Sequence, residues 1–361
     1  MQKVENGTGN FEKINGKTDM KPIDFRSDTV TKPTPGMLEA MLQARVGDDV
    51  FGEDPAMNAL EAKAAGLFGM EAGLFCPSGT MTNQIGIKAH TQPGDEVICD
   101  ELSHVYQYEG GGIAFNSGAS VRLLAGDRGR INAHQVQEAI NNRMDVHKAN
   151  SSLVVLENTS NRGGGSCYEL TDIEEIKAVC LENNLKLHLD GARLFNALVA
   201  KNQEAAAYGR LFDSISICLS KGLGCPVGSV LMGTHSYIQK ARRIRKVFGG
   251  GMRQAGYLAA AGIYALDHHV ERLAEDHRHA RLLETTLLTQ PFVDSVLPVE
   301  SNIVIFNLKE GLTARQFVDE MAAKGILLFA IAPQQVRIVV HLDITTEMID
   351  FTLTQLSSIG R

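Results

Sequence analysis

Between residues 72 and 233 the chain alternates short apolar runs with stretches of helical spacing, and this rhythm restricts the fold more than any other feature. The runs are GLFC (73–76), EVICD (96–100), SVRLLA (120–125), SLVVLE (152–157), LKLHLD (185–190), SISICLS (214–220) and GSVLMG (228–233). Stretches such as TMTNQIGIKAHT and DIEEIKAVCLENN separate most of them. Strands that are apolar along their whole length belong in a sheet covered on both faces, which is what crossover helices produce. The pattern therefore predicts an α/β fold around a mostly parallel sheet. One link breaks the rule. Only residues 221–227 join the last two runs, whereas a parallel crossover takes about a dozen residues or more. The last strand is expected to run antiparallel to its neighbour, making the sheet mixed.

The remaining segments are arranged around this core. Residues 1–20 are rich in Gly, Asn and Lys and read as a mobile tail. Residues 21–40 form an extended, Pro-containing N-terminal segment that enters a helix near Thr34-Pro35. A large domain is expected over 41–270, and the helical region 252–289 reads as one bent helix or two. After Pro291 come NIVIFNL, TARQFVDEMAAKG, VRIVVHLD and TTEMIDFTLTQLSSI, the pattern of a smaller α+β domain assigned to 271–361.

A net charge of −7 gives no general attraction to nucleic acid or to acidic membrane surfaces. No apolar stretch approaches the roughly 20 residues of a membrane span. The start of the chain lacks the apolar centre of a secretory signal. The six cysteines include no C-x-x-C pair, and several sit in apolar runs, so they read as free thiols in a reducing compartment. A cytoplasmic protein is expected, with a small-molecule substrate and neither nucleic acid nor membrane as partner.

Several polar residues stand at the ends of the apolar runs, where open α/β sheets bind ligands. Asp190 closes LHLD before a helix; by position alone it is a ligand group or a helix cap. Lys221 follows SISICLS and is a rim residue, a phosphate ligand or an amine that condenses with a carbonyl. In CPSGTMTNQ, Ser78, Gly79 and Thr80 open a helix and either cap it or hold a phosphate. His104 in ELSHVYQYEGGG is a loop residue or a catalyst. Arg193 and Arg337 suit bidentate carboxylate binding or surface ion pairs. The run KARRIRK (240–246) reads as a solvated helix face. Pyridoxal 5′-phosphate unifies the set, because it needs an amine for its aldehyde, an acid opposite its ring nitrogen and a phosphate cup. Lys221, Asp190 and the Ser78–Thr80 turn match those three needs. No metal is expected.

The motifs RSDTVTKP, VGDDVFGEDP, PSGTMTN, LSHVYQYEGGG, LENT, HLDGARLFNA, CLSKGLGCPVGS and GGGMRQAG occur in one order from residue 22 onward. In them the chain resembles the L-threonine aldolases, a branch of the fold type I (aspartate aminotransferase-like) pyridoxal-phosphate enzymes grouped with the β-eliminating lyases. The resemblance implies a seven-stranded sheet with a smaller C-terminal domain. It implies that Lys221 bonds to the cofactor and Asp190 pairs with the pyridine nitrogen. His104 would stack on the ring, while Ser78, Gly79, Thr80 and Ser220 hold the phosphate. Ser27, Tyr108, Arg193 and Arg337 would bind the substrate, Arg193 touching the cofactor too. Arg253 and Lys246 would come from a neighbouring subunit of a homotetramer whose sites lie at dimer interfaces. Many members carry a histidine after ENT, where this chain has Ser160; His147 matches a second active-site histidine of some members.

The expected reaction is retro-aldol cleavage of L-threonine or L-allo-threonine to glycine and acetaldehyde, with His104 or His147 taking the β-hydroxyl proton. β-Elimination, racemisation or transamination on the same cofactor are the nearest rivals, and a non-enzymatic regulatory protein on this fold is the more distant one.

Overall fold

Seven strands form the central sheet of the computed structural model, which describes residues 22–359; the expected tail, 1–20, lies outside them. In chain order they are β1 (Ala72–Cys76), β2 (Asp95–Asp100), β3 (Ser120–Leu124), β4 (Asn150–Glu157), β5 (Lys186–Gly191), β6 (Ser214–Cys218) and β7 (Ser229–Gly233). Their order across the sheet is β1-β7-β6-β5-β4-β2-β3. The pairings β6·β5, β5·β4, β4·β2 and β2·β3 are parallel. β7 is antiparallel to both neighbours, with Cys218 opposite Ser229 and Cys76 opposite Ser229 on its other side. The short 219–228 link is responsible. It turns back on itself through Gly224, whose φ of +77° favours glycine, and the amide of Gly224 donates to the Lys221 carbonyl at 2.8 Å.

Every residue of β6 and β7 is buried, their serines included, and neither strand holds a charged residue. β3 is the exception: at the sheet edge it is half-exposed along its length, with Arg122 in its middle. The helical region near residue 252 resolves into two helices, Gly256–His268 and Leu273–Leu287. Around the central sheet lies a large apolar core, to which Met57, Phe68, Leu189, Ile217 and Ala265 belong.

A second core gathers Leu283, Val304, Phe306, Phe317 and Ile338. Its strands are β8 (Val293–Val296), β9 (Ile303–Leu308), β10 (Phe329–Ala332) and β11 (Gln335–Val339), an antiparallel sheet ordered β10-β11-β9-β8. Sequence reading finds β9 and β11 and misses the two edge strands. The N-terminal segment is tied to this layer: Ile23 and Asp24 pair in parallel with Ile326 and Leu327, and Phe25 enters the second core. That crossing brings residues 26–31 to the side where the central strands end. Among the described residues, no helix is long and apolar enough to cross a membrane.

Candidate active site

The carboxyl ends of β1, β2, β4, β5 and β6 deliver Ser78, His104, Glu157, Asp190 and Lys221 to one edge of the sheet. A cleft of about 210 Å³ there is lined by Ser78, Gly79, Thr80, His104, Asp190, Ser220 and Lys221, among others. Larger hollows occur elsewhere, one of about 660 Å³ along the basic helix His235–Val247, but the strand ends converge only on the smaller cleft.

Ser78 caps the helix Gly79–His90, its Oγ accepting from the Met81 amide at 3.2 Å. A Cβ on Gly79 would stand 2.5 Å from Cys218 Sγ. Glycine is thus required so that the helix start can lie against β6. The exposed hydroxyl of Thr80 and the amides of the first helical turn are left for an anion.

Asp190 is almost wholly buried. Its Oδ1 accepts from the Ala192 amide at 3.2 Å, while Oδ2 is buried with no hydrogen-bond partner among the described residues. A carboxylate oxygen in that state costs about 1–3 kcal/mol or more unless a donor arrives from outside the protein. The pyridinium N–H of pyridoxal phosphate is such a donor. With Lys221 on the same cleft and the Ser78–Thr80 cup beside it, the residues present fit the cofactor.

His104 opens a single helical turn, His104–Gln107. Its amide donates to Glu157 Oε2 at 2.7 Å and its Nδ1 lies 3.0 Å from Glu109 Oε1. A ring nitrogen of His104 and the carboxylates of Glu109 and Asp190 lie within 4.8 Å of one another. Burial alone would lower the His104 pKa, but the Glu109 hydrogen bond and the charges of Asp190 and Glu109 outweigh it and the net shift is upward. Glu157 sits opposite Asp190 across β4 and β5. Its burial first, and the Asp190 charge second, push its pKa up to about 7.

A guanidinium corner lies near Lys221, where the charges of both Arg193 and Lys221 act on Asp28. Arg193 Nε and Nη2 both donate to the buried Asp28 carboxylate at 2.7 Å. Half of the expected substrate clamp is therefore committed to a protein partner, leaving Nη1 outside that fork. Arg337 donates from Nη1 to Asn161 Oδ1 at 2.9 Å and from Nη2 to the Arg26 carbonyl at 3.1 Å. Its Nε is buried with no hydrogen-bond partner among the described residues. Burial, and then repulsion from Arg193, lower the Arg337 pKa to about 10. Two guanidiniums that repel each other, one carrying an orphan N–H, favour an anion between them. Ser27 Oγ accepts from the Thr29 amide and hydroxyl, and the half-exposed Tyr108 ring lies 5.7 Å from that of His104.

Three expected residues, His147, Arg253 and Lys246, are not brought to this cleft by their own chain. His147 stands in the turn before β4, at the opposite edge of the sheet, with its side chain 89% exposed and its Nδ1 2.9 Å from Asp145. Its expected service as a base for its own chain's cleft is corrected accordingly: the turn that precedes a strand does not reach the side where that strand ends. Arg253 is exposed, paired with Asp48 at 2.7 Å and placed over the Phe51 ring at 5.8 Å; Lys246 is exposed nearby. Ser160 is buried, its Oγ accepting from the Gly163 amide at 3.2 Å. Sequence reasoning missed Asp28, Glu109, Glu157 and Asn161. Asp28, Glu109 and Glu157 stand inside the motifs RSDTVTKP, LSHVYQYEGGG and LENT, and Asn161 lies two residues past LENT; only the fold reveals which neighbour each one faces.

Comparison with known proteins adds the following. The family model described as beta-eliminating lyase matches residues 24–310. The low-specificity L-threonine aldolase of Escherichia coli K12 is 42% identical over 328 residues, 91% of this chain and 96% of that protein. Low-specificity L-threonine aldolase 1 of Arabidopsis thaliana is 39% identical over 341 residues, covering 93% and 95%. The solved structure of the Leishmania major threonine aldolase superposes with a TM-score of 0.82 at 22% identity, covering 93% of this chain and 99% of that one, and so bears on the fold.

Proposed function

The chain belongs to the beta-eliminating lyase family, and on that premise we propose that it is a carbon–carbon lyase cleaving L-threonine and L-allo-threonine to glycine and acetaldehyde with pyridoxal 5′-phosphate. The observation that carries the reading is the unpartnered, buried Asp190 Oδ2 on the same cleft as Lys221. When bound, the cofactor supplies the electron sink that takes up the pair released as the Cα–Cβ bond breaks.

The protein's own part is positioning and proton transfer. Lys221 provides the amine that anchors the aldehyde, and Asp190 Oδ2 accepts from the ring nitrogen and keeps it protonated. The first-turn amides after Ser78, with the Thr80 and Ser220 hydroxyls, hold the phosphate. Arg337 Nε and the free edge of Arg193 receive the substrate carboxylate, with Ser27 and Tyr108 at its flank. His104 takes the proton of the β-hydroxyl, a contribution of about 10²–10⁴-fold in rate. The assignment of 41–270 to a cofactor-holding unit and 271–361 to a smaller one is supported by the two apolar cores.

A homotetramer with Arg253 and Lys246 reaching a neighbouring subunit's phosphate is part of the proposal, supported by the exposed Arg253, Phe51 and Val247 around the basic helix. The cytoplasmic location is supported by six buried free thiols.

Incubation with L-threonine and analysis of products tests the activity: glycine and acetaldehyde are expected, and ammonia with 2-oxobutanoate would overturn it. Borohydride reduction of the loaded enzyme followed by peptide mapping should label Lys221.

A further inference from the structure

A chain of buried polar groups runs from His104 through the sheet to its opposite edge, and its chemistry leaves one direction for the protons. Glu109 accepts at Oε1 from Asn83 Nδ2 (2.9 Å) and at Oε2 from Gln84 Nε2 (2.6 Å), with His104 Nδ1 3.0 Å from Oε1. An ionised carboxylate only accepts, so Asn83 turns its amide nitrogen to Glu109 and its Oδ1 to His188 Nε2, 3.3 Å away. Nε2 of His188 must therefore carry hydrogen. His188 is fully buried, and burial lowers its pKa to about 4, so the ring is neutral and Nδ1 is bare. Ser214 Oγ, 2.8 Å from that Nδ1, must donate to it. The lone pair of Ser214 then faces His90 Nε2 at 2.8 Å, which must be the N–H form. Each link donates toward Glu109.

At its other end the same polarity reaches His104. With Glu109 able only to accept, His104 Nδ1 is the protonated nitrogen, and Nε2 of the neutral ring carries the lone pair.

We infer that Glu109 is a positioning residue that fixes His104 in the Nδ1–H tautomer, with Nε2 as the proton-accepting atom, and that the Asn83–His188–Ser214–His90 chain locks Glu109 in that office. The role of Nε2 in the reaction rests on the functional reading above; the tautomer does not. The groups facing His104 are Glu109 on its own turn, Glu157, Asp190 and Lys221 at the strand ends, and Tyr108. Among them, Glu109 makes the direct side-chain hydrogen bond to the ring.

The first test is spectroscopic and uses the purified full chain with ¹⁵N-labelled histidine, the His104 resonance being assigned by its loss in His104→Gln. Two-bond ¹⁵N–¹H correlation should show Nδ1 protonated and Nε2 bare above the titration midpoint. A dominant Nε2–H tautomer would overturn the inference. In Glu109→Gln the midpoint should fall, because the acceptor charge that favours the imidazolium is gone, and the two tautomers should become mixed. An unchanged midpoint and tautomer would overturn it as well.

In the loaded enzyme, kcat for L-threonine should drop about 10–100-fold in Glu109→Gln, with KM little changed. The acidic limb of the rate profile should move to lower pH, and the cofactor absorbance should be retained. Glu109→Asp, which keeps the charge, should hold the wild-type limb. If Glu109→Gln does not fold, the wild-type tautomer still decides the matter. If the protein cleaves no threonine, the functional reading fails while the spectrum still tests the tautomer.

Discussion

Replacing Asp28 by Asn tests whether the guanidinium corner is held by charge or by shape. The Asp28–Arg193 pair has two parallel 2.7 Å bonds, and its side chains are 0% and 5% exposed. Arg193 also has Arg337 as a repelling neighbour. Neutralising Asp28 leaves a buried guanidinium facing an amide that cannot return two charged acceptor bonds. Breaking a buried pair this way costs about 3–5 kcal/mol. Unfolding entropy of about 2 cal/mol/K per residue gives roughly 0.7 kcal/mol per kelvin for a chain of this length. The midpoint of thermal unfolding should fall by about 4–7 °C, measured by calorimetry at fixed protein concentration near pH 7.

The pH dependence has a definite sign. Burial alone would raise the Asp28 pKa, but the charge and hydrogen bonds of Arg193 outweigh it and hold the pKa below its ordinary 3.8. The pair's contribution is therefore full above the unfolded-state pKa and is lost as pH falls through the lower folded value. The gap between Asp28→Asn and wild type should stay constant from pH 5 to 8 and begin to close only below about pH 4. The double variant Asp28→Leu/Arg193→Met removes both charges and should recover much of the lost stability without recovering activity. A single variant melting within a degree of wild type, or a double variant less stable than the single, would refute the reasoning.

Asp190→Asn should raise the dissociation constant for pyridoxal phosphate about 10–100-fold, the worth of a hydrogen bond to a charged group, read by equilibrium titration of the cofactor absorbance. Gly79→Ala should destabilise by about 1–3 kcal/mol through overpacking, because its Cβ would meet Cys218 Sγ at 2.5 Å; Cys218→Ala in the same chain should relieve the clash, as a urea titration would register. Ser160→His should also destabilise by about 1–3 kcal/mol, since Ser160 Oγ already stands 2.1 Å from where a Cβ on Gly129 would lie, and a lower melting midpoint is the expected result. His147→Ala, at an exposed turn on the wrong edge of the sheet, should leave kcat within about twofold; a hundredfold loss would contradict the placement given above.

Sequence alone carried the central sheet because burial on two faces writes itself into composition: β6 and β7 hold no charged residue, and their reversed pairing follows from the length of one link. The edge strands β8 and β10 were not legible. A strand with a solvated side and one neighbour has weak apolar bias, and Asp294, Ser295 and the exposed Phe329 show how little pattern remains. The site divides in the same way. Asp190, Lys221 and Ser78 were visible because strand ends are where such folds bind ligands, and a strand end can be read from one segment. Glu109, Asp28 and Asn161 act only through partners distant in the chain. Glu109 meets Asn83, 26 residues away, and Asp28 meets Arg193 across 165 residues. Their types fit a solvated loop as well as a buried pair, and nothing local separates the two. His147 shows the converse error, where a matching residue type stands at the wrong end of β4. The candidate site groups are thus specified by the strands that carry them, whereas their hydrogen-bond partners are specified by contacts that exist only once the chain has folded. The direction inferred for the hydrogen bonds behind His104 is a case in point, because it rests on one carboxylate, Glu109, whose partners Asn83, Gln84 and His104 no single segment of the chain brings together.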